Sequence, residues 1–304
     1  MTRRRVVAVV GATASGKTAL AIQLARALDG EIVNTDSRQV YRGMDIGTAK
    51  PTPAERMLAR HWLLDVVAPD EAFTLAAFLD LAGAALEDIW SRHRLPIVAG
   101  GSGQYVWALL EGWRVPRVPP DRALRARLEA AASERGVVPL LDELRQLDPA
   151  YAATVDRNNA RRIIRAIEVT RATGRPYSSW RTRSAPDFDA TIIGLSLPRD
   201  ALHRRIDARV DGMIDAGLVD EVRGLIAAGY GCTLPSMSGI GYRQVCEHLA
   251  GERSLADAVA RIKTETHRLA RVQHTWFRPD DARIAWLDAL DGELAVRARA
   301  AAEG

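Results

Sequence analysis

The residues best able to do chemistry stand together near the N-terminus, in GATASGKT at positions 11–18. Gly11, Gly16, Lys17 and Thr18 fit the spacing G-x-x-x-x-G-K-[ST]. The apolar run RVVAVVG (5–11) reads as a strand, and residues 17–29 read as a helix. In that setting the backbone N–H groups of Ala12, Thr13, Ala14, Ser15 and their neighbours, with the helix N-terminus, face phosphate oxygens. Lys17 adds a charge and Thr18 reaches a magnesium ion, Mg2+. The motif states that phosphate is held, but not whose. An ATPase or GTPase should add a strand ending in Asp. The candidate, LPIVAGG (95–101), ends on Gly100 and Gly101, and no Asn-Lys-x-Asp signature follows. A departing diphosphate suits such a site at least as well as a triphosphate undergoing hydrolysis.

A second candidate is Asp36, where the strand-like EIVNT (31–35) runs into DSRQVYRGMDIGTAKP (36–51). In a doubly wound sheet, the carboxyl end of a strand beside the phosphate-loop strand opens into the same crevice. Asp36 then faces whatever the loop holds. The competing reading is an Asp that caps a turn or helix.

Elements to position these groups are legible along the chain. Apolar runs at 5–11, 31–37, 95–103, 190–198 and 283–288 alternate with helical stretches such as 17–29 and 72–93. This rhythm predicts an α/β fold: a P-loop core whose parallel sheet is flanked by helices. Residues 114–188 differ, being helical by periodicity and opening on a proline cluster. They predict an inserted all-helical lobe, leaving 1–113 and 189–304 as the catalytic core. The lobe region is also basic, with 15 Lys and Arg against 10 Asp and Glu over 114–190, which points to a polyanionic partner or to a solvated helical surface. Only three of the chain's 42 basic residues are lysines (Lys17, Lys50, Lys263), so abundant arginine alone says little, whereas a lysine kept at one place says more. Arg161, Arg162 and Arg165 in NNARRIIRAIE are candidate phosphate contacts, Arg161 and Arg165 sharing a face by i, i+4 spacing.

The spacing of Cys232 and Cys246 argues against a disulfide framework and a zinc site, and with it a reducing cytoplasm fits best. The basic, apolar start imitates a signal peptide, but its apolar run is too short and Gly16 and Lys17 follow at once, so it reads as a buried strand. No stretch approaches the roughly 20 apolar residues of a membrane span. In SLADAVARIKTETHRLARVQHTWFR (254–278), Ile262, Leu269, Val272 and Trp276 form a stripe expected in the core, while Arg261, Arg268, Arg271 and Arg278 mark a basic face. His267 and His274 on the same helix read as surface or packing residues.

Four motifs in order along nearly the whole chain carry a resemblance: GATASGKT (11–18), DSRQVYRGMDIGTAKP (36–51), GGSGQY (100–105), and SGIGYRQ (238–244) followed by RVQHTWFR (271–278). The sequence resembles the bacterial type of tRNA dimethylallyltransferases, also called isopentenyl-pyrophosphate:tRNA transferases. The second motif is far more specific than the phosphate loop. The resemblance implies that the loop, with Arg223 in DEVRGL, holds the pyrophosphate of dimethylallyl diphosphate. It implies that the acceptor is the exocyclic amine of the adenosine 3′ of the anticodon, and that the helical lobe grips the tRNA anticodon stem-loop. It makes Asp36 the general base, Lys17, Thr18 and magnesium the stabilisers of the leaving group, and Thr13 a contact of the flipped base or of Asp36. Asp36, Ser37, Arg38, Gln39, Ser102, Arg125, Arg161, Arg162, Arg165 and Arg243 become tRNA contacts.

Ala12 stands where many relatives carry Pro, and Ser102 where they carry Thr. A monomer without an obligate protein partner is expected. The competing readings are a small-molecule kinase of P-loop type, an adenylate isopentenyltransferase acting on free nucleotide, and an RNA-binding protein with a vestigial loop.

Overall fold

Val6 to Val10 are at most 1% exposed, so strand β1 (Arg4–Gly11) has no solvent face along its middle. That is why its apolar run is continuous rather than alternating. The computed structural model describes residues 3–180 and 182–304. From β1 the chain enters helix α1 (Lys17–Ala27), β2 (Gly30–Asn34), α2 (Pro53–Leu58), the two-residue edge strand β3 (His61–Trp62), α3 (Leu75–Ser91), β4 (Leu95–Ala99) and α4 (Gly103–Leu110). It then forms α5 (Arg122–Arg135), α6 (Val138–Leu147), α7 (Pro149–Ala152) and α8 (Ala160–Thr173) before β5 (Phe188–Ser196). The last part holds α9 (Arg199–Asp215), α10 (Leu218–Ala227), α11 (Tyr242–Leu249), α12 (Leu255–Trp276), β6 (Ile284–Asp288) and α13 (Leu294–Glu303).

The six strands form one sheet in the order β3-β2-β4-β1-β5-β6, every pair parallel. β1 lies between β4, with Val7 opposite Ile97, and β5, with Val9 opposite Ile193. Parallel strands cannot be joined by hairpins, so helices cross over and cover the sheet. α1 and α13 bury Leu20, Ala21, Leu24, Ala298 and Ala302 against Val7, Val9, Ile32, Ile97 and Ile193. The α/β expectation is met, and β3 is the one strand that apolar patterning missed, being only two residues long and half-buried.

The chain divides into two compact units, Met1–Leu110 with Pro186–Gly304, and Glu111–Ala185. The second holds α5 to α8 around Leu128, Leu140, Leu144, Ile163, Ile164 and Ile167. Its entering and leaving segments run side by side: Arg114 N–H donates to Thr182 C=O at 2.9 Å and Ser184 N–H to Gly112 C=O at 2.8 Å. Within this unit Glu168 is 1% exposed. Burial would raise its carboxyl pKa, yet Arg125, Arg165 and the Asp121 N–H, all donating to it, hold it below the ordinary range. Arg125 meets it with two bonds of 2.8 Å.

The sulfurs of Cys232 and Cys246 are bonded to each other, which corrects the expectation of two free thiols and removes the support they lent to a reducing compartment. The pairing is invisible in the spacing because it depends on how the connection after α10 folds back over α11. Among the described residues no helix is long and apolar enough to cross a membrane.

The disulfide closes a loop with a sequence separation of 14 residues. Chain-entropy arguments assign a loop of that size about 3 kcal/mol. A dithiol reductant, or Cys232→Ser, should therefore lower the stability extrapolated from urea unfolding by about that amount, with an m-value equal to or somewhat above that of the oxidised protein, because the unfolded chain is less constrained. Identical midpoints with and without reductant would mean the bond contributes nothing to stability.

Candidate active site

The chain leaves β1 at Gly11 and enters α1 at Lys17, through a turn whose last residue, Gly16, has φ 99°. Side chains rarely adopt that conformation, so the glycine is required by the backbone itself. The turn points the N-terminus of α1, with its unpaired N–H groups, at the edge of the sheet. Lys17 Nζ donates to Ala12 C=O at 2.6 Å. Burial of the ammonium, with the Arg209 guanidinium nearby, lowers its pKa to about 8 against the opposing pull of Asp36. Two cations from α9, one helical turn apart, face the same loop. Arg205 donates to Ser15 C=O at 3.5 Å, and Arg209 lines the adjoining cavities.

β2 delivers Asp36 to the same edge. Asn34 shapes the exit: its Oδ1 accepts from Asp36 N–H at 3.0 Å and its Nδ2 donates to Leu63 C=O at 3.1 Å. The Asp36 carboxylate accepts the N–H of Arg38 at 2.8 Å, so the turn-capping reading is true of one oxygen. The same carboxylate nevertheless lines both cavities. Beyond it, residues 37–51 are held from within. Gln39 donates to the carbonyls of Thr48 and Ala49 at 3.1 Å each. Lys50, 7% exposed, donates to Tyr41 C=O at 2.8 Å, to Asp65 at 2.6 Å and to Asp45. Glu221 of α10 accepts the N–H groups of Asp45, Ile46 and Gly47 and the hydroxyl of Tyr242.

The third strand end, after β4, lies between the other two. Gly100 and Gly101 pack so closely that a Cβ at either would sit 2.2 Å from a side-chain atom, Thr35 Oγ1 and Gln273 Nε2 respectively. This explains two glycines where a nucleotide hydrolase would carry an Asp. Ser102 Oγ accepts from Ser37 N–H at 3.1 Å. A small cavity of about 90 Å³ is lined by Thr13, Lys17, Thr18, Asp36 and Arg209. A larger one of about 610 Å³ is edged by Ser37, Arg38, Ser102, Tyr105, Tyr242 and Trp276. Thr13, Asp36, Arg209 and Gln273 belong to both. One cavity is thus cationic and of a size for small anions, the other roomier and partly aromatic, with a single carboxylate at the join.

A family model described as IPP transferase matches residues 39–280. The chain belongs to the IPP transferase family. It is 55% identical over 272 residues to a tRNA dimethylallyltransferase of Roseiflexus sp. (strain RS-1), covering 90% of this chain and 89% of that one. It is 48% identical over 289 residues to one from Herpetosiphon aurantiacus, covering 95% and 91%. Among solved structures it is similar to the full-length tRNA isopentenylpyrophosphate transferase of Bacillus halodurans (TM-score 0.71, 37% identity, 99% and 97% covered). It is also similar to a eukaryotic dimethylallyltransferase acting on tRNA (TM-score 0.82, 28% identity, 98% and 77% covered).

Within this IPP transferase fold the sequence candidates separate. Thr13, Lys17, Thr18, Asp36, Ser37, Arg38 and Ser102 converge on the cavities. Gln39 does too, although its amide is engaged in bracing the loop. Arg223 is not among the residues lining them: it is an exposed residue of α10 paired with Asp220 at 2.7 Å. Arg243 is paired with Glu265 outside the cavity lining. Arg125 and Arg165 neutralise Glu168, because a buried carboxylate requires partners; Arg161 and Arg162 remain exposed. The stripe on α12 is also corrected. Ile262 is buried, but Leu269 and Val272 are 39% and 53% exposed and line the larger cavity with Trp276, while the buried polar position is Gln273. His267 packs instead, stacked on His203 at 4.1 Å between ring centroids.

Sequence reasoning missed Arg205, Arg209 and Gln273. A signal existed for the arginines, which flank the buried row Leu202, Ile206 and Val210 of α9, but only the packing of α9 says what they face.

Lys17 carries charge below about pH 8 and loses it above. The Lys17 contribution to affinity for an alkyl diphosphate should therefore be flat to about pH 7, halve by about pH 8 and weaken by up to about tenfold per unit above it. Calorimetric titration across pH 6.5–9.5 measures this, and Lys17→Met should abolish the inflection. A wild-type profile flat to pH 9.5 would exclude a lowered lysine.

Proposed function

We propose that this protein transfers the dimethylallyl group of dimethylallyl diphosphate to the exocyclic N6 amine of the adenosine 3′ of the anticodon in tRNA, releasing pyrophosphate. The observation that carries the reading is the join between the two cavities, where Asp36 stands between a cation-lined recess and a larger aromatic-edged one. The diphosphate occupies the recess, against the N-terminus of α1, Lys17, Arg205 and Arg209. The unstacked adenine and the allyl chain occupy the larger cavity beside Tyr105, Tyr242 and Trp276, which offset the few kcal/mol of removing a base from its stack.

The amine is a weak nucleophile because its lone pair is delocalised into the purine. Its nitrogen attacks the allylic C1 as the C1–O bond breaks, the bonding pair leaving on a diphosphate oxygen, and Asp36 accepts the proton released from nitrogen. The cations of the recess stabilise the charge that grows on the leaving group, the positioned electrostatic help on which such reactions depend. Thr18, which lines the recess, would hold a magnesium ion through its hydroxyl. Since the described residues contain no group of three or more His, Cys, Asp or Glu able to hold a metal, the ion would be carried chiefly by the diphosphate, and it would supply further charge to the leaving group. The exposed Arg161 and Arg162, at the first turn of α8 in the basic helical unit, serve as tRNA phosphate contacts; Ser37, Arg38 and Ser102 act on the target nucleotide.

Purified protein, magnesium, unmodified tRNA and radiolabelled dimethylallyl diphosphate should yield labelled tRNA, and free adenine nucleotide should accept little. Consumption of ATP with a small acceptor, and no label in tRNA, would favour a kinase instead. Asp36→Ala should reduce kcat by about 10²- to 10⁴-fold with tRNA affinity little changed; a parallel loss of affinity would make Asp36 a binding residue. Replacing Arg161 and Arg162 together should weaken tRNA binding and flatten its salt dependence by about one to two counterions, and an unaltered slope would return both to the solvated surface.

A further inference from the structure

Gln273 lies on the penultimate turn of α12 and is 7% exposed. Its Oε1 accepts the Thr13 N–H at 2.7 Å and its Nε2 donates to Gly101 C=O at 3.0 Å. The orientation is forced, since a backbone N–H can only donate and a carbonyl can only accept. One carboxamide therefore joins the phosphate loop to the turn after β4. The connection continues: Ser102, the next residue of that turn, accepts Ser37 N–H at 3.1 Å, and Ser37 adjoins Asp36. A Cβ at Gly101 would lie 2.2 Å from Gln273 Nε2, so the glutamine in this position requires a glycine at 101.

We infer that Gln273 is a positioning residue for the transfer step: it sets the separation and angle between the Asp36 side of the site and the phosphate-loop side. The inference rests on the transferase reading above. In-line displacement needs the amine, C1 and the leaving oxygen aligned, and amine and diphosphate are held by different strand ends. Thr13, Asp36 and Gln273 all line the join between the cavities, so a drift of the phosphate loop relative to the β4 turn would misalign the reacting atoms without removing any group that binds substrate. The residue type follows from the task. Asn is too short to reach both partners, Glu lacks the donor for Gly101, and Met offers neither bond.

Gln273→Glu preserves size and the Thr13 bond, and Gln273→Met preserves size alone. Both should lower kcat on the order of 100-fold while KM for dimethylallyl diphosphate and Kd for tRNA stay within about threefold, in protein whose melting shows it folded. A purely structural role is separated by the pair Gln273→Ala with Gly101→Ala, in which the new methyl fills the space left by Nε2. Packing alone would restore both melting temperature and kcat in the double variant, whereas positioning leaves kcat low. A near-wild-type kcat in folded Gln273→Glu or in the double variant overturns the inference, as does a loss confined to KM. Wild-type turnover in the same assay keeps the two readings distinguishable: no transfer by wild type would sink the transferase assignment, not the role of Gln273 within it.

Discussion

A parallel sheet sends all its strands out at the same edge, and in this protein three neighbouring strands, β2, β4 and β1, release their chains there side by side. The buried strands need continuous apolar faces, which leaves the strand ends as the first place where polar and charged groups meet solvent. The phosphate loop, the Gly100–Ser102 turn and the Asp36 segment are these three ends. Their separation is set by the lateral spacing of the strands before any side chain is chosen. What the side chains add is rigidity, and the glycines at 100 and 101 show how little room is left once the turns have met.

The charge distribution of the site carries a cost that the fold bears. Lys17 and Arg209 line one small recess with Asp36 as their nearby acid, Arg205 stands against the loop at Ser15, and burial of Lys17 beside the Arg209 cation lowers its pKa. Such a cluster repels itself, and on the function proposed above the charge of a bound diphosphate would offset that repulsion. The segment following Asp36 is treated in the opposite way. Its backbone N–H groups are collected by Glu221 and its buried ammonium, Lys50, by two aspartates and a carbonyl, so that the fifteen residues 37–51, without helix or strand, are braced from within.

The helical unit shows why counting arginines misleads. Arg125 and Arg165 are drawn to the buried Glu168 and hold the unit together, whereas Arg161 and Arg162, on the first turn of α8, stay exposed. All four lie within one basic stretch of sequence, and only Arg165 carries a local sign of its role, standing three residues before Glu168 on the same helix. Arg125 is distinguished only when α5 and α8 pack and Glu168 is buried between them.

Contiguous features were determined by the sequence alone. The phosphate loop is eight adjacent residues between a strand and a helix, Asp36 stands at the end of an apolar run, and the helical insertion declares itself by periodicity; each depends on interactions within a few residues. The family motifs, too, are local strings. Tertiary structure alone decided that Arg209 and Gln273 enter the site, that Arg223 does not, that Leu269 and Val272 line a cavity rather than a core, and that Cys232 meets Cys246. The reason is the same in each case. A helix presents a different side chain every 100° or so, and which of them faces the strand ends is set by how α9 and α12 pack against elements far away in the chain, a rotation that periodicity constrains but does not choose.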